Sequence, residues 1–254
     1  MAADGDDLLV VDDLTVAFGG VHALDGVDLS VAPGSITGLI GPNGAGKTTL
    51  IDAVTGFVSP RSGTIRFDGA DVTGMAPNQR AERGLVRTFQ SMELFEDLTV
   101  GDNLAVAAEP EPWWGVLAEA VGRTPASTAA EDVAWALSLV GLDGTADAAP
   151  SELSHGRRRL VSVARALAAR PRLVLLDEPA AGLDTAETDL LGRHLAALPE
   201  AGVTVLLIDH DMSLVLDVCT DIHVLDFGRI ISAGPPDAVR ADPGVVAAYL
   251  GAPT

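Results

Sequence analysis

The sequence predicts an α/β fold in which a mostly parallel sheet is covered by helices. Three observations predict it. Short apolar runs at 173–176, 203–208 and 222–225 alternate with helix-period segments, the pattern of strands buried on both faces. A further β-like run, Ser35-Ile36-Thr37-Gly38-Leu39-Ile40, leads through a glycine-rich loop into Thr49-Leu50-Ile51-Asp52-Ala53-Val54, whose apolar spacing is helical. The first third of the chain alternates brief β patterns with turns.

In order, strands are expected at 8–11, 14–18, 27–31 and 35–40, then a helix at 49–54. Gly63-Thr64-Ile65-Arg66-Phe67-Asp68-Gly69 reads as another strand between turns. Residues from about 77 to 150 read as mainly helical and loop-rich, with 131–140 the clearest amphipathic helix. Within them Glu109-Pro110-Glu111-Pro112-Trp113-Trp114 is punctuated by prolines and reads as an exposed excursion. A helix over 157–169 precedes the strand at 173–176.

The loop between strand and helix is Gly41-Pro42-Asn43-Gly44-Ala45-Gly46-Lys47-Thr48, which fits G-x-x-x-x-G-K-[ST] at every fixed position. Lys47 is the only lysine among sixteen Lys and Arg residues. A compact ammonium on a flexible stem reaches between phosphates where a planar guanidinium is too bulky. The glycines let backbone N–H groups, those of Asn43 and Ala45 among them, turn inward around an anion. The helix N-terminus at Thr48 and Thr49 faces the same point, and the Thr48 hydroxyl suits Mg²⁺. This is the pattern of a nucleoside-triphosphate site.

A formal net charge of −20 argues against a nucleic-acid-binding surface, which needs basic patches. Its simpler meaning is solubility or a salty cytoplasm. The single cysteine, Cys219, rules out an internal disulfide. The acidic start is unlike a secretory signal, and no apolar run approaches the length of a membrane span.

Leu173-Val174-Leu175-Leu176-Asp177-Glu178 places two carboxylates at the end of a buried strand. After a phosphate loop, Asp177 is placed to hold the Mg²⁺ shell and Glu178 to polarise an attacking water. Leu153-Ser154-His155-Gly156 opens the following helix. Ser154 reads as an N-cap, and Ser with Gly at a helix start also makes a second anion site. The arginines at 157, 158 and 159 oppose the helix dipole, which implies an anion or acidic partner nearby.

The ordered set Gly41–Thr48, Gln90, Leu153–Gly156, Asp177–Glu178, Gly182-Leu183-Asp184 and His210 resembles the ATP-binding subunit of an ABC transporter, across essentially the whole chain. Four segments resemble the branched-chain amino-acid importer group more narrowly. They are Val86-Arg87-Thr88-Phe89-Gln90, Leu98-Thr99-Val100-Gly101-Asp102-Asn103-Leu104, Glu178-Pro179-Ala180-Ala181-Gly182-Leu183 and Val246-Ala247-Ala248-Tyr249-Leu250-Gly251.

The resemblance implies a P-loop NTPase core with an N-terminal antiparallel β subdomain and an inserted helical subdomain. They form one ABC ATPase domain over 1–254: about 8–75 the β subdomain and phosphate loop, about 88–153 the helical subdomain, and 154–254 the rest of the core and the tail. It implies ATP and Mg²⁺ as ligands. Phe18 would stack on adenine, Gln90 would touch the metal or water, and His210 would donate to the γ-phosphate. Ser154 and Gly156 would face the nucleotide of a second subunit, identical or a sibling, with Asp184 at the junction. Transmembrane permease subunits would grip the helical region, with an extracytoplasmic solute-binding protein as an indirect partner, at the cytoplasmic face of the membrane. Trp113-Trp114 would belong to that contact or pack within their own excursion.

The sequence departs from the family at His155, where a second glycine is usual, at Arg157, where glutamine is usual, and at Asp209, where glutamate is commoner. Other classes share part of the pattern. A soluble ABC ATPase, such as an iron–sulfur assembly subunit, shares every catalytic motif. A chromosome-maintenance head needs heptads between Thr48 and Ser154, and none are present. A small-molecule kinase has no use for Leu153–Gly156.

Overall fold

The computed structural model describes residues 7–88, 94–108 and 126–250. Gln90, Trp113, Trp114 and Gly251 lie outside the described residues.

The N-terminal part is an antiparallel sheet of β1 (Leu9–Phe18), β2 (Val21–Val31), β4 (Ser62–Phe67) and β5 (Ala70–Asp71), in the order β2-β1-β4-β5. The two strands expected at 8–11 and 14–18 are one. The polar pair Asp12-Asp13 breaks the apolar alternation and is absorbed as a bulge, with a register shift between Val11 and Leu14. Asp13 takes a left-handed φ of 47°, and its N–H donates to Asp28 Oδ1 at 2.8 Å.

The second sheet contains β3 (Ile36–Ile40), β6 (Leu85–Arg87), β7 (Leu173–Asp177), β8 (Thr204–Ile208), β9 (Asp221–Asp226) and β10 (Arg229–Gly234). Its order is β10-β9-β3-β8-β7-β6, and every pairing is parallel except that of the edge hairpin β9–β10. The stretch expected to be mainly helical therefore donates a strand: β6 pairs with β7 from Leu85↔Leu173 to Arg87↔Leu175. Three residues are too few to show a period.

The buried strands alternate between two cores. Val174, Leu176, Val205 and Leu207 face one; Leu173, Leu175, Leu206 and Ile208 face the other. The first core is covered by α3 (Val100–Ala108), α4 (Ala126–Leu139), α5 (His155–Ala168), α6 (Thr185–Ala197) and α7 (Met212–Val218), through Leu104, Leu137, Val161, Leu191 and Val215 among others. The second contains α1 (Lys47–Thr55), through Leu50, Ile51 and Val54, together with the inner face of the antiparallel sheet. Burial on both faces is why these strands read as unbroken apolar runs. Short helices α2 (Pro77–Glu82), α8 (Pro236–Ala241) and α9 (Pro243–Leu250) complete the described chain. Among the described residues no helix is long and apolar enough to cross a membrane.

Candidate nucleotide site

Because β3, β8 and β7 are adjacent and parallel, their carboxyl ends meet along one edge. That edge brings together the loop after β3, Asp177 and Glu178 after β7, and Asp209 and His210 after β8, the place where open α/β sheets bind ligands.

Gly41 opens the loop at φ 154°, where an added Cβ would lie 2.0 Å from the carbonyl oxygen of Leu225. Gly46 caps α1 in the left-handed region, φ 111°, with the Ala23 carbonyl oxygen 2.6 Å from where its Cβ would be. No L-residue with a side chain fits either position, so the neighbouring β2 and β9 set the loop's path. Lys47 Nζ donates to the carbonyls of Gly41 at 2.6 Å and Pro42 at 3.0 Å, curling back over its own loop. Burial lowers the Lys47 pKa, while the carboxylates of Glu178 and Asp177 push it up. All three charged groups thus share one field. Thr48 is exposed on the first turn of α1 and Thr49 is half-buried.

Asp177 is buried at 3% exposure and held from two sides. Arg87 Nη2 lies 2.8 Å from its Oδ2, and its backbone N–H donates to the Thr88 hydroxyl at 3.2 Å. Glu178 sits at φ 49°, left-handed for a residue with a side chain. Such a conformation costs about 1–3 kcal/mol and clusters at functional sites. Its N–H is tied to the Ile208 carbonyl at 2.7 Å, so the turn is fixed by β8. Asp177 and Thr48 are hard oxygen donors of the kind Mg²⁺ takes, one carboxylate and one hydroxyl, and would fit such an ion.

Asp209 is also buried, and accepts from the N–H groups of Ala180 at 3.1 Å and Asp211 at 2.9 Å. Beside it the His210 ring is exposed, with Nδ1 3.6 Å from Asp209 Oδ1. Phe18 is 54% exposed at the end of the β1–β2 hairpin, paired with Val21. Ala23 on the same strand abuts Gly46, so the hairpin end adjoins the phosphate loop.

Ser154 is the N-cap of α5, its Oγ accepting from the Arg157 N–H at 3.3 Å. Among the described residues, two of the three arginines there find partners within the chain. Arg158 pairs with Glu96, and Arg159 Nη2 donates to the Ala181 carbonyl at 3.0 Å in the field of Asp209 and Glu178. The acidic partner implied by that arginine run is in part intramolecular. His155 packs against Gly182, its Nε2 3.1 Å from where a Cβ would stand. Gly156 leaves room for Glu187, whose Oε1 would lie 2.5 Å from a Cβ. Asp184 caps α6 through the Glu187 N–H at 2.9 Å. The loop of Ser154 is therefore keyed to the 182–187 segment.

Sequence reasoning gave Arg87 no role of its own and missed Asp52, whose Oδ1 lies 2.6 Å from Arg87 Nη1. Nothing in a local pattern reports contacts 35 and 90 positions apart.

Phosphate loop, strand-end carboxylates and capped serine helix together define a nucleotide-binding cassette of the P-loop class. The family description "ABC transporter" matches residues 24–181, and "Branched-chain amino acid ATP-binding cassette transporter" matches 229–253. The chain is 42% identical to the high-affinity branched-chain amino acid transport ATP-binding protein BraF of Pseudomonas aeruginosa, over 96% of this chain and 98% of that one. It is 39% identical to LivG of Escherichia coli, of the same description, with the same coverage. Among solved structures, the ATP-binding cassette MJ1267 of an ABC transporter superposes with a TM-score of 0.84 at 33% identity, over 96% of this chain and 99% of that one. The chain belongs to the ATP-binding subunits of ABC transporters, and is an ATP hydrolase of that family.

Proposed function

We propose that this subunit binds and hydrolyses ATP to drive an importer of branched-chain or related amino acids. The single observation that carries the reading is the near-full-length identity to BraF. The match at 229–253 favours it over a soluble ABC ATPase such as an iron–sulfur assembly subunit.

In this reading Phe18 stacks on adenine, while Lys47 leaves the Gly41 and Pro42 carbonyls to reach the β- and γ-phosphates. The N–H groups of 43–49 and the end of α1 cradle the phosphate charge. Thr48 and Asp177 hold Mg²⁺, which neutralises developing charge on the phosphates. Glu178, aimed by its left-handed turn, polarises the attacking water. His210 donates to the γ-phosphate, and Gln90 senses metal or water. Ser154 and Gly156 serve the nucleotide of a second copy or a sibling subunit, with Asp184 at the junction. ATP thus adds contacts available only in the closed pair, and its hydrolysis removes them. Permease subunits against the helical region, at the cytoplasmic face of the membrane, convert closure into transport, and an external solute-binding protein delivers cargo.

Reconstitution tests this. The subunit is placed in proteoliposomes with the permease and binding proteins that co-purify with its Glu178→Gln variant. ATP-dependent leucine uptake, absent with Glu178→Gln itself, is expected. ATP hydrolysis stimulated by a different solute class, with no uptake of leucine, isoleucine or valine, overturns the cargo assignment.

A further inference from the structure

Arg87 is buried to 9% side-chain exposure at the end of β6, and its guanidinium spans two carboxylates. One arm, Nη1, reaches Asp52 at 2.6 Å, and the other, Nη2, reaches Asp177 at 2.8 Å. The two acids stand on different elements. Asp52 lies on α1, one helical turn beyond Thr48 and on the same face, since residues four apart are neighbours on a helix. Asp177 ends β7. The fork therefore joins the helix that carries the Thr48 hydroxyl to the strand that carries the Asp177 carboxylate. Residue 88 grips the same acid a second time, through the Thr88 hydroxyl and the Asp177 N–H.

We infer that Arg87 is a positioning residue that sets the spacing and orientation of the two Mg²⁺ donors, Thr48 and Asp177. The inference rests on the reading of those two residues as the metal's protein ligands. At Arg87 geometry works against charge. A guanidinium beside a carboxylate weakens it as a metal donor by sharing its negative charge. It also commits Oδ2 and fixes the rotamer, leaving Oδ1 to the metal, and ties α1 to β7. Loss of an outer-shell partner typically changes metal affinity about ten- to a hundredfold, and on this inference the orientation Arg87 imposes outweighs the charge it withdraws. A planar fork holds the two acids in a fixed mutual geometry, whereas an ammonium on the same strand is a compact point charge that fixes neither orientation. Arg87 and Thr88 stand at the end of β6 and both hold Asp177, so any displacement of that strand end is felt at the acid.

The test measures the dissociation constant of a fluorescent ATP analogue in EDTA and across a Mg²⁺ titration, beside the Mg²⁺ dependence of ATPase. The chains compared are Arg87→Met, Arg87→Lys, Asp52→Asn and Asp177→Asn. Affinity in EDTA is expected to stay within about twofold of the parent. The Mg²⁺ midpoint is expected to rise about ten- to a hundredfold in Arg87→Met and by a smaller factor in Arg87→Lys and Asp52→Asn, with kcat recovering at high Mg²⁺. Asp177→Asn is expected to abolish the Mg²⁺ response. If it does not, the assignment of Asp177 to the metal fails, and the role of Arg87 with it. If it does, while folded Arg87→Lys and Asp52→Asn keep the parent midpoint, only the Arg87 inference is overturned. Those two variants decide the matter even where Arg87→Met does not fold.

Discussion

The Asp209 carboxylate accepts the backbone N–H of Ala180 at 3.1 Å, joining the turn after β7 to the end of β8. Through its second oxygen it also holds the Asp211 N–H at 2.9 Å. One buried acid thus fixes the segment that follows Glu178 and the residue that flanks His210. Asp209→Ala strands the buried Ala180 N–H and frees the part-buried one of Asp211, so a loss of about 1–3 kcal/mol is expected in urea unfolding. On the proposed roles of Glu178 and His210, turnover should fall more than ATP affinity, because Asp209 holds the segments that carry those two residues.

Arg80 is the largest cation hidden in the described core, at 1% exposure. Its guanidinium donates to the carbonyls of Ala53 at 2.7 Å, Val54 at 2.6 Å, Thr73 at 2.9 Å and Met75 at 3.1 Å. Two of these are last-turn carbonyls of α1, so the arginine closes the far end of the helix that begins at Lys47. Arg80→Met is expected to cost about 3–5 kcal/mol in chemical denaturation. Arg80→Lys cannot reproduce the fork and should recover only part of that loss.

A Cβ at Gly41 would press on the Leu225 carbonyl, part of a strand that cannot retreat without breaking its pairing with β3. Gly41→Ala should keep the fold yet raise the dissociation constant for ATP at least about a hundredfold, read by equilibrium dialysis. Unchanged ATP affinity would show that the loop's path is not what binds phosphate.

Cys219 gives a dependence on pH. Burial, helped by the charge of Asp221, pushes its thiol from 9.0 to about 12. Below pH 9 the thiol is protonated in the folded and the unfolded chain, and its contribution to stability is complete. That contribution is lost as pH climbs from about 9 to about 12, because the unfolded chain ionises first. At pH 9 iodoacetamide should modify the native chain two to three orders of magnitude more slowly than the urea-unfolded one, roughly the ratio of thiolate present.

The phosphate edge was legible from sequence because each strand that builds it is buried on both faces, and two of the three run straight into acids. Residues 173–176 followed by Asp177 and Glu178 show this, as do 203–208 followed by Asp209 and His210. Less legible were β6 and β10. The first is three residues long, and the second alternates exposed with half-buried residues at an edge, without an apolar face. The ties of Arg87 and Arg80 were not legible at all. A buried arginine looks like any surface arginine until the chain has closed around it. The arginines at 157–159 pointed correctly to nearby acid, but sequence alone could not say that Glu96 supplies part of it.

The most direct test of the account is ATPase activity per subunit, measured as the purified subunit is diluted from tens of micromolar to nanomolar. If Ser154 of one copy completes the Lys47 site of another, activity per subunit should fall towards zero. It should return on adding an excess of the Lys47→Ala chain, which cannot turn over ATP but still carries Ser154. Activity per subunit that stays constant at every dilution contradicts the account.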